Sequence, residues 1–277
     1  MSQILELYFN RNQASSAFET ACFKPSNKRE FAVGELFLFG EIRNMPEKGP
    51  RILNRFLQFI QQNYYSLQPN QPEPPKADIL KRTLERANEF LVEIPQKEGF
   101  NLGGNLSFVA LSLGPDLVLK VSRLTGVKVY LLRDGQVTNV ADSLPGAANN
   151  LFSNVLEGQT KEGDKILVFN KELSAIFETE KILHILSNLS AMGGIKKIIK
   201  KHKKALKEAM GACLIILVKK EKPFYWPSLS VPEHNPLFQF FQKTLPSSPR
   251  LKSIILKILI SIAALAILLP LGYFIFR

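Results

Sequence analysis

The chain has few of the residues on which disulfide scaffolds and zinc centres are built. It contains two cysteines and three histidines in 277 residues, and both Cys22 and Cys213 lie inside apolar runs. Two such thiols provide neither a disulfide framework nor a thiolate metal site. The histidines are scattered, without a second histidine or a carboxylate at metal-ligand spacing. The sequence therefore predicts buried, inert thiols in a reducing compartment and excludes a typical zinc site.

Aspartate is also scarce, which restricts hydrolytic metal chemistry. A two-metal hydrolytic site assembles several carboxylates around hard cations. The chain has only five aspartates, three in turn contexts beside glycine or Gly-Pro and two that suit a helix start and a loop: Asp116, Asp134, Asp164, Asp78 and Asp142. Turn and cap roles account for all five. The sequence also lacks a phosphate-binding loop of the Walker type and a nucleophile elbow.

One long apolar segment is present, near the C-terminal end. Residues 254 to 276, from Ile254 to Phe276, contain a single charge, Lys257, and the 19 residues that follow it are uncharged. In a helix, such a stretch reaches about 28 Å, close to the roughly 30 Å thickness of the hydrocarbon core of a bilayer. The segment predicts a transmembrane helix.

The charges around this segment predict its orientation. Four basic residues precede the apolar core and one follows it: Lys243, Arg250, Lys252 and Lys257 before it, and Arg277 after it. The side richer in lysine and arginine stays in the cytoplasm. We therefore expect a single-pass, tail-anchored protein of the cell membrane with a cytoplasmic N-terminal domain. No secretory signal pattern is present at the N-terminus.

The sequence divides into three regions. Residues 1–228 are predicted to form the globular domain, residues 229–250 a proline-rich spacer and residues 251–277 the membrane anchor. Short apolar runs within the domain predict strands at about 3–9, 17–23, 35–40, 105–113, 117–123, 127–133, 165–169 and 212–219. Helical spacing predicts helices at 50–65, 77–94, 179–190 and 195–210. The pair Asp134-Gly135 predicts a hairpin turn.

A dense group of lysines contributes to the formal net charge of +12. If residues 195–210 are helical, the apolar residues among them share one face and the lysines coat the other. Seven lysines lie on this second face: Lys196, Lys197, Lys200, Lys201, Lys203, Lys204 and Lys207. They fit a solvated helix surface, and they also fit a contact with anionic lipid head groups, which the adjacent anchor favours. Nucleic acid is the least favoured partner, because no aromatic residues are interleaved and no reading motif is present.

Three segments, read in order, resemble a known enzyme family. They are "VALSLGPDLVLKVSRLTGVKVYLLRDGQV", "FSNVLEGQTKEGDKILVFNKEL" and "MGACLIILVKKE", and "ELFLFGEIRN" precedes them. In strand lengths, turn positions and order these segments resemble the metal-dependent PPM-type (type 2C) protein serine/threonine phosphatases. The resemblance implies an α+β fold, a four-layer α/β/β/α sandwich in which two antiparallel sheets lie face to face with helices outside.

The departures from this family fall on its metal-binding motifs. Its first Asp-Gly aligns with Glu41-Ile42, its Gly-Asp-Ser-Arg with Thr125-Gly126-Val127-Lys128, its Ser-Asp-Gly with Asn170-Lys171-Glu172, and its final Asp-Asn with Gly211-Ala212. The positions Glu41, Gly126, Lys171 and Gly211 therefore replace metal ligands, and only Glu41 is still acidic. Lys171 would put a positive charge beside the cations that activate water.

Three functional hypotheses follow. The leading one is a catalytically inactive PPM-like domain, without a metal cofactor, that is tethered to the membrane and acts as a binding or regulatory module for an unidentified protein partner. The alternative is an active but divergent phosphatase that uses Mn²⁺ or Mg²⁺ and Glu41. The third is an unrelated membrane-tethered domain that binds anionic lipid through the lysine-rich helix.

Overall fold

The computed structural model describes residues 2–10, 16–45, 47–66, 79–98, 102, 104–144, 151–207 and 209–220. Ten strands lie in these ranges: β1 (Gln3–Phe9), β2 (Ser16–Phe23), β3 (Glu35–Arg43), β4 (Leu106–Leu113), β5 (Val118–Arg123), β6 (Val127–Arg133), β7 (Gln136–Asn139), β8 (Leu156–Gln159), β9 (Lys165–Asn170) and β10 (Gly211–Leu217). The helices in the same ranges are α1 (Lys28–Val33), α2 (Gly49–Ser66), α3 (Ile79–Glu98), α4 (Lys171–Thr179), α5 (Ile182–Ser187), α6 (Met192–Lys201) and α7 (Lys203–Leu206).

The strands form two antiparallel sheets of five. Sheet A has the order β1-β10-β9-β6-β7, and sheet B has the order β2-β3-β4-β5-β8. The chain passes between the sheets at the β1–β2, β5–β6, β7–β8 and β8–β9 connections. The predicted hairpin at Asp134-Gly135 joins β6 to β7, and both turn residues have positive φ, 48° and 79°, as a two-residue hairpin turn requires.

Alternating side chains divide the core into three apolar layers. In β3, Phe37 and Phe39 pack between the two sheets, whereas Leu36 and Leu38 point outward against α2 and α3. The outer face of sheet A packs against the second helical layer, where Phe169 of β9 meets Phe177 of α4. The period-2 pattern of a strand thus supplies both of its faces with apolar contacts. The predicted α+β class and the two antiparallel sheets are confirmed.

Several elements differ from the sequence-based prediction. The prediction missed β8, α1 and α4, which are short or carry few apolar residues. The helix expected at 179–190 is instead the end of α4 followed by α5, because Lys181 between them has a left-handed backbone with φ 52°. The helix expected at 195–210 is divided into α6 and α7 at His202.

The two cysteines differ in burial. Cys213 is buried, as expected, but Cys22 is only half-buried on the edge strand β2, so the expectation of two core thiols was wrong for Cys22. Both thiols are free, and burial raises the pKa of each.

None of the described helices is long and apolar enough to cross a bilayer. The span predicted at 254–276 lies outside the described residues, as do the spacer at 229–250 and the rest of the anchor region.

Candidate functional site

Polar side chains enter the layer between the sheets at one end of the sandwich. Glu41 of β3 and Asn170 of β9 are each 0% exposed, and Ser107 of β4 is also buried. Glu41 is two positions beyond Phe39, and Asn170 is two positions beyond Val168, so both continue the faces that build the inter-sheet core. The end of an otherwise apolar layer therefore holds a buried carboxylate and a buried amide.

Arg43 neutralises the buried carboxylate from the same strand. Its Nε donates to Glu41 Oε1 over 2.6 Å, and its Nη2 donates to Oε2 over 3.2 Å. The side chain of Arg43 is 39% exposed, so the guanidinium extends from the buried carboxylate toward solvent. Residues two apart on a strand point to the same face, and the planar guanidinium fork matches a carboxylate with two parallel bonds.

The electrostatics of this pair reflect two opposing effects. Burial raises the pKa of the Glu41 carboxyl, and the bonds and charge of Arg43 oppose this increase. Glu172, in the first turn of α4, adds a further negative field that raises the pKa of Glu41. The bond to Glu41 raises the pKa of Arg43. The carboxylate is thus held by one guanidinium and repelled by one neighbouring carboxylate.

Asn170 links the ends of two strands of sheet A. Its Nδ2 donates to the carbonyl of Met210 over 3.0 Å. A β-carbon at Gly211 would lie 2.2 Å from Asn170 Oδ1, which explains why glycine, with φ 154°, occupies the start of β10. Asn170 Oδ1 itself is buried and has no hydrogen-bond partner among the residues that the structure describes. Although Asn170 precedes α4 directly, it does not cap that helix with its side chain.

Strand pairing brings the four aligned motif positions to this same end. Glu41 lies opposite Ser107 on β4, and a β-carbon at Gly126 would lie 2.2 Å from Ser107 Oγ. The next residue, Val127, pairs with Asn170, against which Gly211 packs. Lys171 follows Asn170 in the chain and is exposed. The positions 41, 126, 171 and 211, far apart in sequence, therefore surround one end of the inter-sheet layer.

Sequence comparison alone does not place this chain: no family model matches it, and no curated protein matches it. Comparison of structures identifies its fold. A serine/threonine phosphatase from S. agalactiae superposes with a TM-score of 0.56 at 13% identity, over 79% of this chain and 100% of that chain. The chain has the fold of the PPM phosphatases.

Two further structures agree with this assignment. The PPM Ser-Thr phosphatase MsPP from Mycobacterium smegmatis, in complex with cacodylate, gives a TM-score of 0.54 at 12% identity, over 79% of this chain and 98% of that one. The PP2C phosphatase domain of SpoIIE from Bacillus subtilis, with a fragment of its regulatory domain, gives 0.55 at 12% identity, over 80% of this chain and 65% of that one. The structural similarity establishes the PPM fold, but at sequence identities this low it does not establish activity.

The residues at this end of the PPM fold do not suit a pair of divalent cations. Mg²⁺ and Mn²⁺ prefer several oxygen ligands, carboxylates above all. Within the described ranges, no group of three or more His, Cys, Asp or Glu side chains is arranged to hold a metal ion. Glu41 already has a cationic partner in Arg43, and among the described residues the field of one further carboxylate, Glu172, raises its pKa.

Sequence reasoning singled out four positions that the structure brings to one end of the sandwich, but it missed the residues that shape the site. Arg43 was not singled out, although the spacing Glu41-x-Arg43 on a strand is a readable signal for opposite charges on one face. Asn170 entered only as the residue aligned with the serine of the family's Ser-Asp-Gly motif, and the burial of its side chain depends on contacts with Met210 and Gly211 that no local pattern encodes. Ser107 lies in an apolar strand, where nothing in the sequence marks it.

The seven lysines of 196–207 lie elsewhere. All are exposed on α6, on α7 or at the residue that follows α7, in the helical layer outside sheet A, and the contacts of the described residues include no hydrogen bond from their side chains to Glu41 or Arg43.

Replacing Arg43 tests the ion pair. Arg43→Met should lower the free energy of unfolding at neutral pH by about 2–4 kcal/mol, because it leaves a buried carboxylate unpaired. This loss is smaller than that for a fully buried ion pair, because Arg43 is partly exposed. Urea unfolding measures this change in the free energy of unfolding. Arg51→Met, at an exposed position of α2, is the matched control and should change stability by less than about 0.5 kcal/mol.

The deficit of the Arg43→Met variant should depend on pH. Without Arg43, the pKa of Glu41 in the folded state rises further above its unfolded value. A carboxyl group whose pKa is raised by folding stabilises the folded state fully at pH values below its unfolded pKa. This stabilisation is lost as the pH rises through the folded pKa, because the buried group then ionises. The deficit should therefore be largest near about pH 8 and shrink toward about pH 5. A deficit that is independent of pH would contradict this account.

A second pair of variants tests the packing of Asn170 on Gly211. Gly163→Ala adds a β-carbon at φ 91° in open space, so it isolates the cost of a left-handed backbone, about 1 kcal/mol. Gly211→Ala adds a steric clash with Asn170 and should cost a further 1–3 kcal/mol or so. Urea unfolding of both variants measures the difference. Equal losses would show that Asn170 moves away freely.

Proposed function

We propose that this protein is a PPM-fold domain without phosphatase activity, anchored to a membrane by residues 254–276 and facing the cytoplasm. In this proposal the domain acts as a binding or regulatory module for a protein partner. It carries no catalytic residues and no metal cofactor.

The observation that carries the proposal is the ion pair between Glu41 and Arg43. A metal-dependent hydrolase needs its buried carboxylates to be available to cations that activate water. Here both oxygens of the buried carboxylate accept bonds from a guanidinium of the same strand. A divalent cation would have to displace Arg43 from both oxygens and then find further oxygen ligands at positions occupied by Gly126, Lys171 and Gly211.

The charge balance at the site supports the same conclusion. Lys171 replaces a carboxylate at the position that aligns with a metal ligand, and it adds a positive charge where a cation would need a negative one. Glu172 is adjacent in sequence and exposed, but it lies in the first turn of α4 rather than at the end of β9. Two carboxylates, one of them already paired, are too few for two divalent cations.

The membrane part of the proposal rests on the sequence. The apolar segment has the length of a bilayer-spanning helix, and the excess of basic residues on its N-terminal side favours a cytoplasmic domain. A domain that keeps the PPM fold without its metal ligands retains an ordered surface, and tethering would concentrate that surface at the membrane for partners located there.

Metal titration combined with activity measurement tests the absence of catalysis. We expect calorimetry with Mn²⁺ or Mg²⁺ to show no stoichiometric binding, because Glu41 is occupied and further ligands are lacking. Hydrolysis of a phosphopeptide and of a small phosphate ester should not exceed that of an Arg43→Met, Glu41→Gln double variant. Stoichiometric metal binding together with turnover that Glu41→Gln abolishes would instead establish the divergent phosphatase.

A further inference from the structure

One surface of the domain is far more cationic than the rest. We name it the lysine face and define it as Lys196, Lys197, Lys200, Lys201, Lys203, Lys204 and Lys207; all seven side chains are exposed. On the opposite side of α6 and α7, Ile195, Ile199 and Leu206 are buried against sheet A. Because these apolar residues fix the rotation of both helices, the lysines are held outward rather than being free to turn inward.

The opposite helical layer has a mixed surface. On α2 and α3, exposed basic and acidic residues are interleaved: Arg51, Arg55, Lys81, Arg82 and Arg86 with Glu85, Glu89 and Glu93. The lysine face has no acidic residue between Lys196 and Lys207. The net charge of +12 is therefore spread unevenly, and one outer layer of the sandwich carries a concentrated positive field.

Two carboxylates near the lysine face, Glu178 at the end of α4 and Glu180 just after that helix, have other partners. Glu178 accepts hydrogen bonds from Tyr130 and from Ser174. Glu180 contacts His202 Nδ1 over 3.3 Å. These contacts hold both carboxylates at the junction of α4 with sheet A and with the α6–α7 break.

The path of the chain allows this face to reach a membrane. β10 follows α7 after four residues and spans seven residues, about 24 Å, and the last described residue, Lys220, lies three positions beyond the end of β10. Lys220 and Ile254 are 34 positions apart in sequence, a chain that extends at most about 120 Å. A connection of this length can place the outer layer of sheet A against a bilayer in which residues 254–276 are inserted.

We propose that the lysine face lies on the anionic surface of the bilayer that holds the anchor, so that the α2–α3 layer points away from the membrane. This inference rests on the proposed tether. Clusters of four to eight lysines next to a membrane span are attracted to acidic lipid head groups over about a Debye length. Residues 192–207 contain no Phe, Tyr or Trp for base stacking, which favours a lipid surface over single-stranded nucleic acid.

The orientation places the candidate site beside the membrane surface. Gly211 and the Met210 carbonyl, which contact Asn170, follow α7 by a few residues. A partner that recognises this end of the sandwich would therefore approach it along the bilayer.

Lysine footprinting of the full chain tests the proposal. The protein is reconstituted into vesicles of neutral phosphatidylcholine or of phosphatidylcholine with about a third phosphatidylserine, and lysine acetylation is followed by mass spectrometry. We expect the lysine face to be labelled at least about threefold more slowly in anionic vesicles than in neutral ones, and the difference to vanish at about 1 M salt. Lys28 and Lys81, exposed elsewhere on the domain, should label equally in both.

Matched variants separate the face from overall charge. Replacing Lys196, Lys197, Lys200 and Lys201 with glutamine should remove most of the protection of Lys203, Lys204 and Lys207. Replacing Arg51, Arg55, Lys81 and Arg82 with glutamine removes the same charge from the other layer and should leave that protection intact. Circular dichroism confirms that both variants are folded.

The outcomes distinguish the face from the tether. Equal labelling of the lysine face in neutral and anionic vesicles would overturn the proposal, as would protection by added RNA that anionic lipid does not reproduce. Resistance of the protein to alkaline extraction from neutral vesicles reports on the anchor alone. Salt-sensitive binding to anionic vesicles without such resistance would support the lysine face and contradict the tether.

Discussion

A carboxylate buried between two β-sheets requires a cationic or hydrogen-bonding partner, and at Glu41 this requirement organises one end of the fold. An unpaired carboxylate there would lose its hydration without compensation. Arg43 supplies the partner from two residues along the same strand, where the pleat puts both side chains on one face. The guanidinium is also exposed enough to remain hydrated, so the pair closes the apolar inter-sheet layer and forms its boundary with solvent.

At the same end of the sandwich, contacts of Asn170 connect two neighbouring strands of sheet A. Asn170 joins the end of β9 to the start of β10 through the Met210 carbonyl, and Gly211 leaves the space that the amide fills. Where the metal ligands of the PPM family are expected, this chain has contacts within and between its own strands. Superfolds host different functions on one scaffold, and this end of the PPM fold here carries a carboxylate paired with arginine, Glu41, and a buried amide, Asn170.

The sequence predicted most of the fold because its strands have strong local patterns. The strands β9 and β10 each contain an uninterrupted apolar run, and Asp134-Gly135 has one favoured turn geometry. β8 was missed because Leu156–Gln159 is largely exposed and polar, so pairing with β5 rather than periodicity makes it a strand. The break at Lys181 was missed because a left-handed lysine has no signature in the sequence.

The sequence singled out positions that the structure brings together, but it did not predict the contacts between them. Alignment with the family motifs placed Glu41, Gly126, Lys171 and Gly211 in order along the chain, whereas the burial of Asn170 and the packing of Gly126 on Ser107 depend on strands distant in sequence. The central claim is that Arg43 takes the role of a cation at Glu41. A double-mutant cycle with Glu41→Gln and Arg43→Met measures it most directly. The account predicts a coupling free energy of about 2 kcal/mol or more, and a coupling near zero would contradict it.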